Sequence, residues 1–223
     1  MEFDFKKIVD ILIEKCKSKE GIVYTSEAEL QFDLMRIIEK EYPSASVRCE
    51  LEPDVDLEIG TELNLKKVIK IDIVVFVDGG MYPIEIKFRK TSLSKSCKEG
   101  SLSIIYRDQD APDDAAYCYI NDIYRIEQFC KKYHEIYPSM HIKGYTLFMT
   151  NQEKYKGGYN NRTAWKDINI FKYDKKVMIP SSGNGKINGI ERAFILKRAY
   201  QAEWNEFEIQ ENKFYLFWNE IHS

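Results

Sequence analysis

The chain has 223 residues, 44% of them hydrophobic and 13% aromatic, with a formal net charge of −3, which suits one soluble globular domain with a full core. No apolar run approaches the ~18 residues of a membrane-spanning helix, and the charged start MEFDFKKIVDILIEKCK lacks the apolar stretch of a signal peptide, so a cytoplasmic protein with no membrane partner is expected. Five scattered cysteines without a CxxC pair point to reduced thiols and no zinc site, and three histidines leave little room for His-based catalysis.

Residues 4–18 carry Phe5, Ile8, Val9, Leu12 and Ile13 at helical spacing, and Gly21 ends the pattern. A second helix starts at an N-cap of Thr25 or Ser26, runs to about Tyr42 and stops at Pro43. Its apolar stripe is Leu30, Leu34, Ile37 and Ile38. Residues 46–52 alternate as a half-exposed strand. Residues 53–67 read as an acidic loop. Asp54, Asp56 and Glu58 have the spacing of part of a calcium loop but lack its closing glutamate, so a solvated turn is expected there.

Residues 68–90, VIKIDIVVFVDGGMYPIEIKFRK, hold two β-branched, aromatic-rich runs around Asp78-Gly79-Gly80, a strong hairpin signal. A Gly79-Gly80 turn pairs Asp78 with Met81 and puts Asp72 opposite Lys87, diagonal to Glu85. A bulge at the glycines would shift that register. Residues 91–112, rich in Ser and Lys, read as a mobile loop. Residues 113–135 form a third long helix, with Ala116, Tyr119, Ile120, Ile123, Ile126 and Phe129 or Cys130 on one side. Residues 142–150 look like a buried strand. The tail offers further strands around 168–179, 193–209 and 213–218. The expected architecture is therefore α/β, a single domain over 1–223. Its core, about 25–150, runs αβββαβ with a mixed sheet. An N-terminal helix precedes it, and a β-rich C-terminal extension over about 151–223 follows.

Side chains alternate along a strand, so Glu85 and Lys87 share a face. One face of the hairpin carries Ile71, Ile73, Val75 and Val77 against Tyr82, Ile84, Ile86 and Phe88. The other carries Val74, Phe76 and Pro83, then abruptly Asp72, Glu85 and Lys87. Buried charges cost several kcal/mol per ion unless paired or metal-bound. One lysine between two carboxylates leaves surplus negative charge, which a divalent cation would balance. A salt-bridge cluster without chemistry is the competing reading.

Ile71-Asp72, the hairpin, and then Glu85-Ile86-Lys87 resemble the D…(D/E)xK signature of the PD-(D/E)XK nuclease superfamily, the restriction-endonuclease-like fold, whose core is also αβββαβ. The likeness covers about residues 25–150, and Ile71 stands where the family motif has proline. The resemblance implies a further acidic residue from the helix before the sheet. Glu27 heads the buried stripe and is the choice; Glu29, ~160° away around the helix, is the alternative. It also implies a Mg²⁺ site, with Mn²⁺ as substitute, held by Asp72, Glu85 and the Ile86 carbonyl and completed by Glu27. Lys87 would then orient or deprotonate the attacking water. The segment from Asp113 to Glu127 is similar to the helix after the catalytic strand in uncharacterised bacterial members, with Arg125 and Glu127 as groove-facing candidates.

The implied substrate is DNA, cut by an endonuclease of restriction or phage defence. Candidate phosphate contacts are Arg89, Lys90, Lys95, Lys98 and Arg125, with the basic stretch from Lys154 to Arg198 and its Tyr155, Tyr159 and Trp165. Charge is unevenly spread in a way that allows such a face: residues 1–60 hold 8 basic and 15 acidic side chains, whereas 153–198 hold 11 and 4. A homodimer stays open. The second function class is a non-catalytic nucleic-acid-binding or immunity protein that keeps the fold.

Overall fold

The computed structural model describes residues 2–18, 22–54, 69–93, 97–99, 101–107, 112–155, 176–187 and 190–222. Helix α1 (Phe5–Lys17) starts where Asp4 accepts a hydrogen bond from the Lys7 amide. Helix α2 (Glu27–Glu41) starts where Ser26 accepts one from the Glu29 amide at 3.1 Å. Glu29 turns back to accept from the Thr25 amide and hydroxyl, a reciprocal cap close to the S-x-x-E capping box. Strand β1 (Ser46–Leu51) follows, then β2 (Ile71–Val77) and β3 (Gly80–Arg89).

The β2–β3 turn is Asp78-Gly79, with φ of 48° and 74°. Two positive φ values mark a type I′ turn, whose twist matches that of the strands it joins. The expected Gly79-Gly80 turn is thus corrected by one residue at each side. Val77 pairs with Gly80 and Ile73 with Ile84, so one step further Asp72 comes across from Glu85, not Lys87. Gly80 lies in β3 and not in the turn: a Cβ there would stand 2.8 Å from the Tyr82 ring, so that glycine serves close approach. A shift of two in pairing leaves the alternation of faces unchanged.

After β3 come β4 (Cys97–Glu99) and β5 (Leu102–Ile104), a small antiparallel hairpin where a mobile loop was expected. Cys97 and Tyr106 pin this region by being buried, and the Tyr106 hydroxyl donates to the Tyr24 carbonyl. Helix α3 (Pro112–Ile136) then crosses to β6 (His141–Thr150), which runs parallel to β3. The tail carries β7 (Lys176–Ile179), β8 (Ser182–Ile187), β9 (Ile190–Ile195), β10 (Tyr200–Glu203), β11 (Asn205–Ile209) and β12 (Asn212–His222).

The central sheet has six strands in the order β1-β2-β3-β6-β12-β11. It is mixed, with β3–β6 parallel and β12 antiparallel to β6 over Tyr215 to His222. The C-terminal segment is therefore no appendage: β11 and β12 complete the sheet beside β6. Phe214, Tyr215, Leu216 and Phe217 are all buried, the pattern of a strand covered on both faces. Helices α1 and α2 cover one face, packing on Ile73, Val75, Val77, Ile84, Ile86 and Phe88. Helix α3 covers the other, packing on Val74, Met81, Phe148 and Phe217. Ile71 departs from the expected alternation and joins the α3 side with Leu51, its partner on β1; the β1 residue between the last two pairs, Glu50, has a positive φ of 49°. No helix among the described residues is long and apolar enough to cross a membrane.

Candidate active site

The β2–β3 ladder ends at Ile73–Ile84. Pairs that exchange hydrogen bonds alternate along an antiparallel ladder, so beyond that point the amides of Ile86 and Phe88 have lost their β2 carbonyls. Two carboxylates replace them. Asp72 Oδ2 accepts from the Ile86 amide and Glu27 Oε2 from the Phe88 amide, both at 2.7 Å. Gln31, one helical turn after Glu27, donates to the Asp72 carbonyl at 2.6 Å. Glu50, the β1 residue opposite Asp72, has a φ of 49°. The first turn of α2 thus grips both strands where they part, and leaves an open edge of β3 lined by acids. Both backbone groups of a hydrogen-bonded strand residue face the same neighbour, so the Ile86 carbonyl faces this edge too.

Glu85 lies on the α3 side of the sheet, with its side chain 2% exposed. Its Oε2 is 3.3 Å from Arg125 Nη2, and the same nitrogen bonds Asp122 Oδ1. Asp122 Oδ2 is 3.8 Å from Lys87 Nζ, which also reaches Glu27 Oε1 at 3.3 Å. Glu27, Asp72, Glu85 and Lys87 are brought together as the sequence suggests, and Arg125 joins them. Asp122 is the member that strand alternation does not reveal. The signal for it is on its own helix: it falls between Tyr119 and Ile126, both fully buried, and so on the inward face.

Burial pushes Asp72 up to about 6; the Ile86 amide opposes this, and the charge of Asp122 adds to it. Glu85 rises well above the ordinary glutamate value through burial, against the pull of Arg125 and with the push of Asp72. Burial also disfavours charge on Lys87, but the carboxylates of Asp122, Glu27 and Asp72 outweigh it and hold the ammonium protonated. Asp72 and Glu85 are neighbouring acids, and the charge of Asp72 adds to the rise of Glu85, so the doubly ionised state of the pair is disfavoured. When both are ionised, Glu85 Oε1 is a buried acceptor without a donor.

This strain gives a stability prediction. The folded Asp72 carboxyl titrates above its unfolded value, so its contribution is full below about 4 and is lost as pH rises through about 6. Asp72 alone should make the metal-free protein about 1 kcal/mol more stable at pH 5 than at pH 7.5. Urea melts in EDTA at the two pH values measure this; a lower midpoint at pH 5 contradicts it.

The donor set suits a hard divalent cation. Every donor is oxygen, Glu85 Oε1 and Asp122 Oδ2 are buried without a hydrogen-bond partner, and four carboxylates face two cations, a formal surplus of two negative charges. Among the described residues, no three His, Cys, Asp or Glu side chains form a ready cage. Mg²⁺ requires none, since one or two carboxylates plus water and substrate phosphate commonly hold it. Asp72, Glu85 and the Ile86 carbonyl are the groups that would hold it here, while Glu27 is occupied by Phe88 and Lys87.

Other expected residues are placed differently. Glu29 is spent on the α2 cap. Glu127 does not face the groove: it is buried, accepting from the Lys197 amide and the Tyr200 hydroxyl. Lys90 donates to the Thr25 carbonyl and lies 5.2 Å from the centre of the Tyr106 ring, so it ties the end of β3 to the start of α2. Arg89 is half-buried, 4.0 Å from Asp114, and Lys98 is exposed. Asp56, Glu58, Lys95, Tyr159, Trp165 and much of the basic stretch lie outside the described residues.

No family model, curated protein or solved structure matches this chain.

Proposed function

We propose that the chain is a Mg²⁺-dependent nuclease, with Mn²⁺ as a substitute, that hydrolyses phosphodiester bonds of DNA and has a restriction-endonuclease-like core. One observation carries this reading: a fully buried Glu85 with an orphaned oxygen next to a half-buried Asp72 and a protonated Lys87, at an acid-lined edge of β3 that β2 does not cover among the described residues. The order α2-β1-β2-β3, then the small β4–β5 hairpin, then α3-β6, with β3 and β6 parallel, supports it.

A bound cation of this kind lowers the pKa of its water and polarises the phosphate. The Ile86 amide and Gln31 fix Asp72 from two sides, so its carboxylate keeps its place without induced fit. In the metal-free protein the surrounding carboxylates hold Lys87 protonated, which suits a donor: it would orient the attacking water and offset the charge that grows on the phosphate oxygens. Glu27 and Asp122 aim its ammonium. Lys87→Gln should therefore leave Mg²⁺ binding intact and lower turnover by about 10²–10³-fold. Calorimetric Mg²⁺ titration beside nicking of supercoiled plasmid measures both; undiminished turnover would remove Lys87 from the chemistry.

A second reading, a nucleic-acid-binding or immunity protein without catalysis, is favoured by the pairing of both cations with carboxylates. Retention of DNA on a gel with no cleavage in Mg²⁺ or Mn²⁺ would select it.

A further inference from the structure

We infer that Arg125 is a resident cation of this site, neutralising Glu85 while no metal is bound and passing to a substrate phosphate when a divalent cation takes its place. The inference rests on the metal-dependent reading above and adds to it an exchange between two positive charges for one carboxylate.

Three observations carry it. First, the contacts of Arg125 with both carboxylates run through one nitrogen: Nη2 meets Glu85 Oε2 at 3.3 Å and also Asp122 Oδ1. A guanidinium bound for good to a carboxylate presents two parallel N–H groups to it. Here Nε is buried and has no acceptor, so the fork is not docked on Glu85. Second, the two carboxylates hold it unequally. Asp122 sits three residues away on the same helix, so it tethers the guanidinium wherever the side chain swings. Glu85 belongs to β3 and makes the longer contact. Third, the Arg125 side chain is 29% exposed whereas those of Glu85 and Asp122 are 2% and 3% exposed. The arginine is the member of the trio with a path to solvent, where a phosphate would arrive.

A divalent ion at the orphaned Glu85 Oε1 has twice the charge of the guanidinium and neutralises the carboxylate that holds Arg125 through its other oxygen, Oε2. Its arrival frees the planar fork, which matches two phosphate oxygens. By linkage, metal and phosphate then favour each other's binding, and both gains depend on Arg125.

The test measures binding and not turnover. Mg²⁺ is titrated calorimetrically into the wild-type chain and Arg125→Gln, and a single-stranded phosphorothioate oligonucleotide is titrated with and without Mg²⁺. Arg125→Gln should bind Mg²⁺ roughly threefold to tenfold more tightly, bind the oligonucleotide about tenfold more weakly in Mg²⁺, and lose the Mg²⁺-induced gain that the wild type shows. Should Arg125→Gln not fold, Arg125→Lys keeps the charge without the fork: it should bind Mg²⁺ close to the wild-type value and still lose the oligonucleotide gain. Unchanged Mg²⁺ affinity in Arg125→Gln, or an unchanged oligonucleotide gain in either variant, overturns the exchange while leaving the metal site standing. A wild-type chain that binds neither Mg²⁺ nor Mn²⁺ overturns the nuclease reading and this inference with it.

Discussion

Asp72→Asn should abolish metal-dependent cleavage and, in the same protein, raise the stability of the metal-free state. The two effects share one cause. Asp72 and Glu85 are neighbouring acids in a buried place, and burial pushes both upward in pKa. Removing one charge relieves the repulsion. Asparagine keeps an oxygen that accepts from the Ile86 amide, an acceptor that Asp72→Ala would lose, and its own amide donor becomes available for the orphaned Glu85 oxygen. A gain of about 1–3 kcal/mol at pH 7.5 in EDTA is expected. Cleavage should fall by at least about 10³-fold, since a hard cation holds a neutral amide far less firmly than a carboxylate. Denaturant melts beside plasmid nicking read both quantities. If Asp72→Asn is less stable than the parent, and Mg²⁺ shifts the melting of neither, the cluster is a structural salt bridge and the nuclease reading fails.

The largest stability loss is expected far from the acids, at Gly144 of β6. An added Cβ would overlap Ile126 Cγ2 and stand 3.1 Å from Cys130 Sγ. Both belong to α3 and are fully buried, so neither can swing aside into solvent. The β3–β6 ladder lapses here as well: paired residues stop at Met81–Ile142 and resume at Ile84–Tyr145. Pro83, which has no amide to give, falls in that gap, with its Cγ 3.5 Å from the same imagined Cβ. Overpacking of this kind costs about 1–3 kcal/mol or more, and Gly144→Ala should reach the top of that range. Ile126→Leu removes the branch methyl that causes the overlap, so the double variant should recover part of the loss in a denaturant melt. No recovery would mean that the strain lies in the backbone of β6 and not in its contact with α3.

Much of this architecture was legible because it rests on local periodicity. Helix α2 could be read from Ser26, its stripe of Leu30, Leu34, Ile37 and Ile38, and Pro43. The hairpin could be read from β-branched runs around Asp-Gly-Gly. What remained hidden depended on long-range partners. Two adjacent glycines offered two turns: Gly79 sits in the turn with a positive φ, whereas Gly80 is where the Tyr82 ring comes close to the strand, a contact that sequence does not reveal. The move of Ile71 to the other face falls where local pairing gives way to distant partners: Glu50 on β1 takes a positive φ, and side chains of α2 and of Asp72 bond the strand backbones. Alternation has no term for that. The run Phe214-Tyr215-Leu216-Phe217-Trp218 marked a strand, yet its place beside β6 comes from a partner more than sixty residues earlier. Asp122 was hidden for a similar reason, as was the pairing of Arg125 with Glu85: helical spacing tells which residues point inward, not which strand residue they meet.

The position of β12 also bears on how the chain is made. Its neighbour β6 ends at Thr150, whereas β12 starts at Asn212. At ~5–20 residues per second of synthesis, roughly 3–12 s pass between them. Throughout that interval β6 presents an unpaired apolar edge, the kind of surface that templates association between chains. A nascent chain therefore carries α2, β3 and α3, with every charged member of the acidic cluster, well before its sheet can close. Ribosome-associated chaperones would have their strongest claim on it during those seconds, and premature termination after β6 should yield aggregates instead of a smaller folded protein.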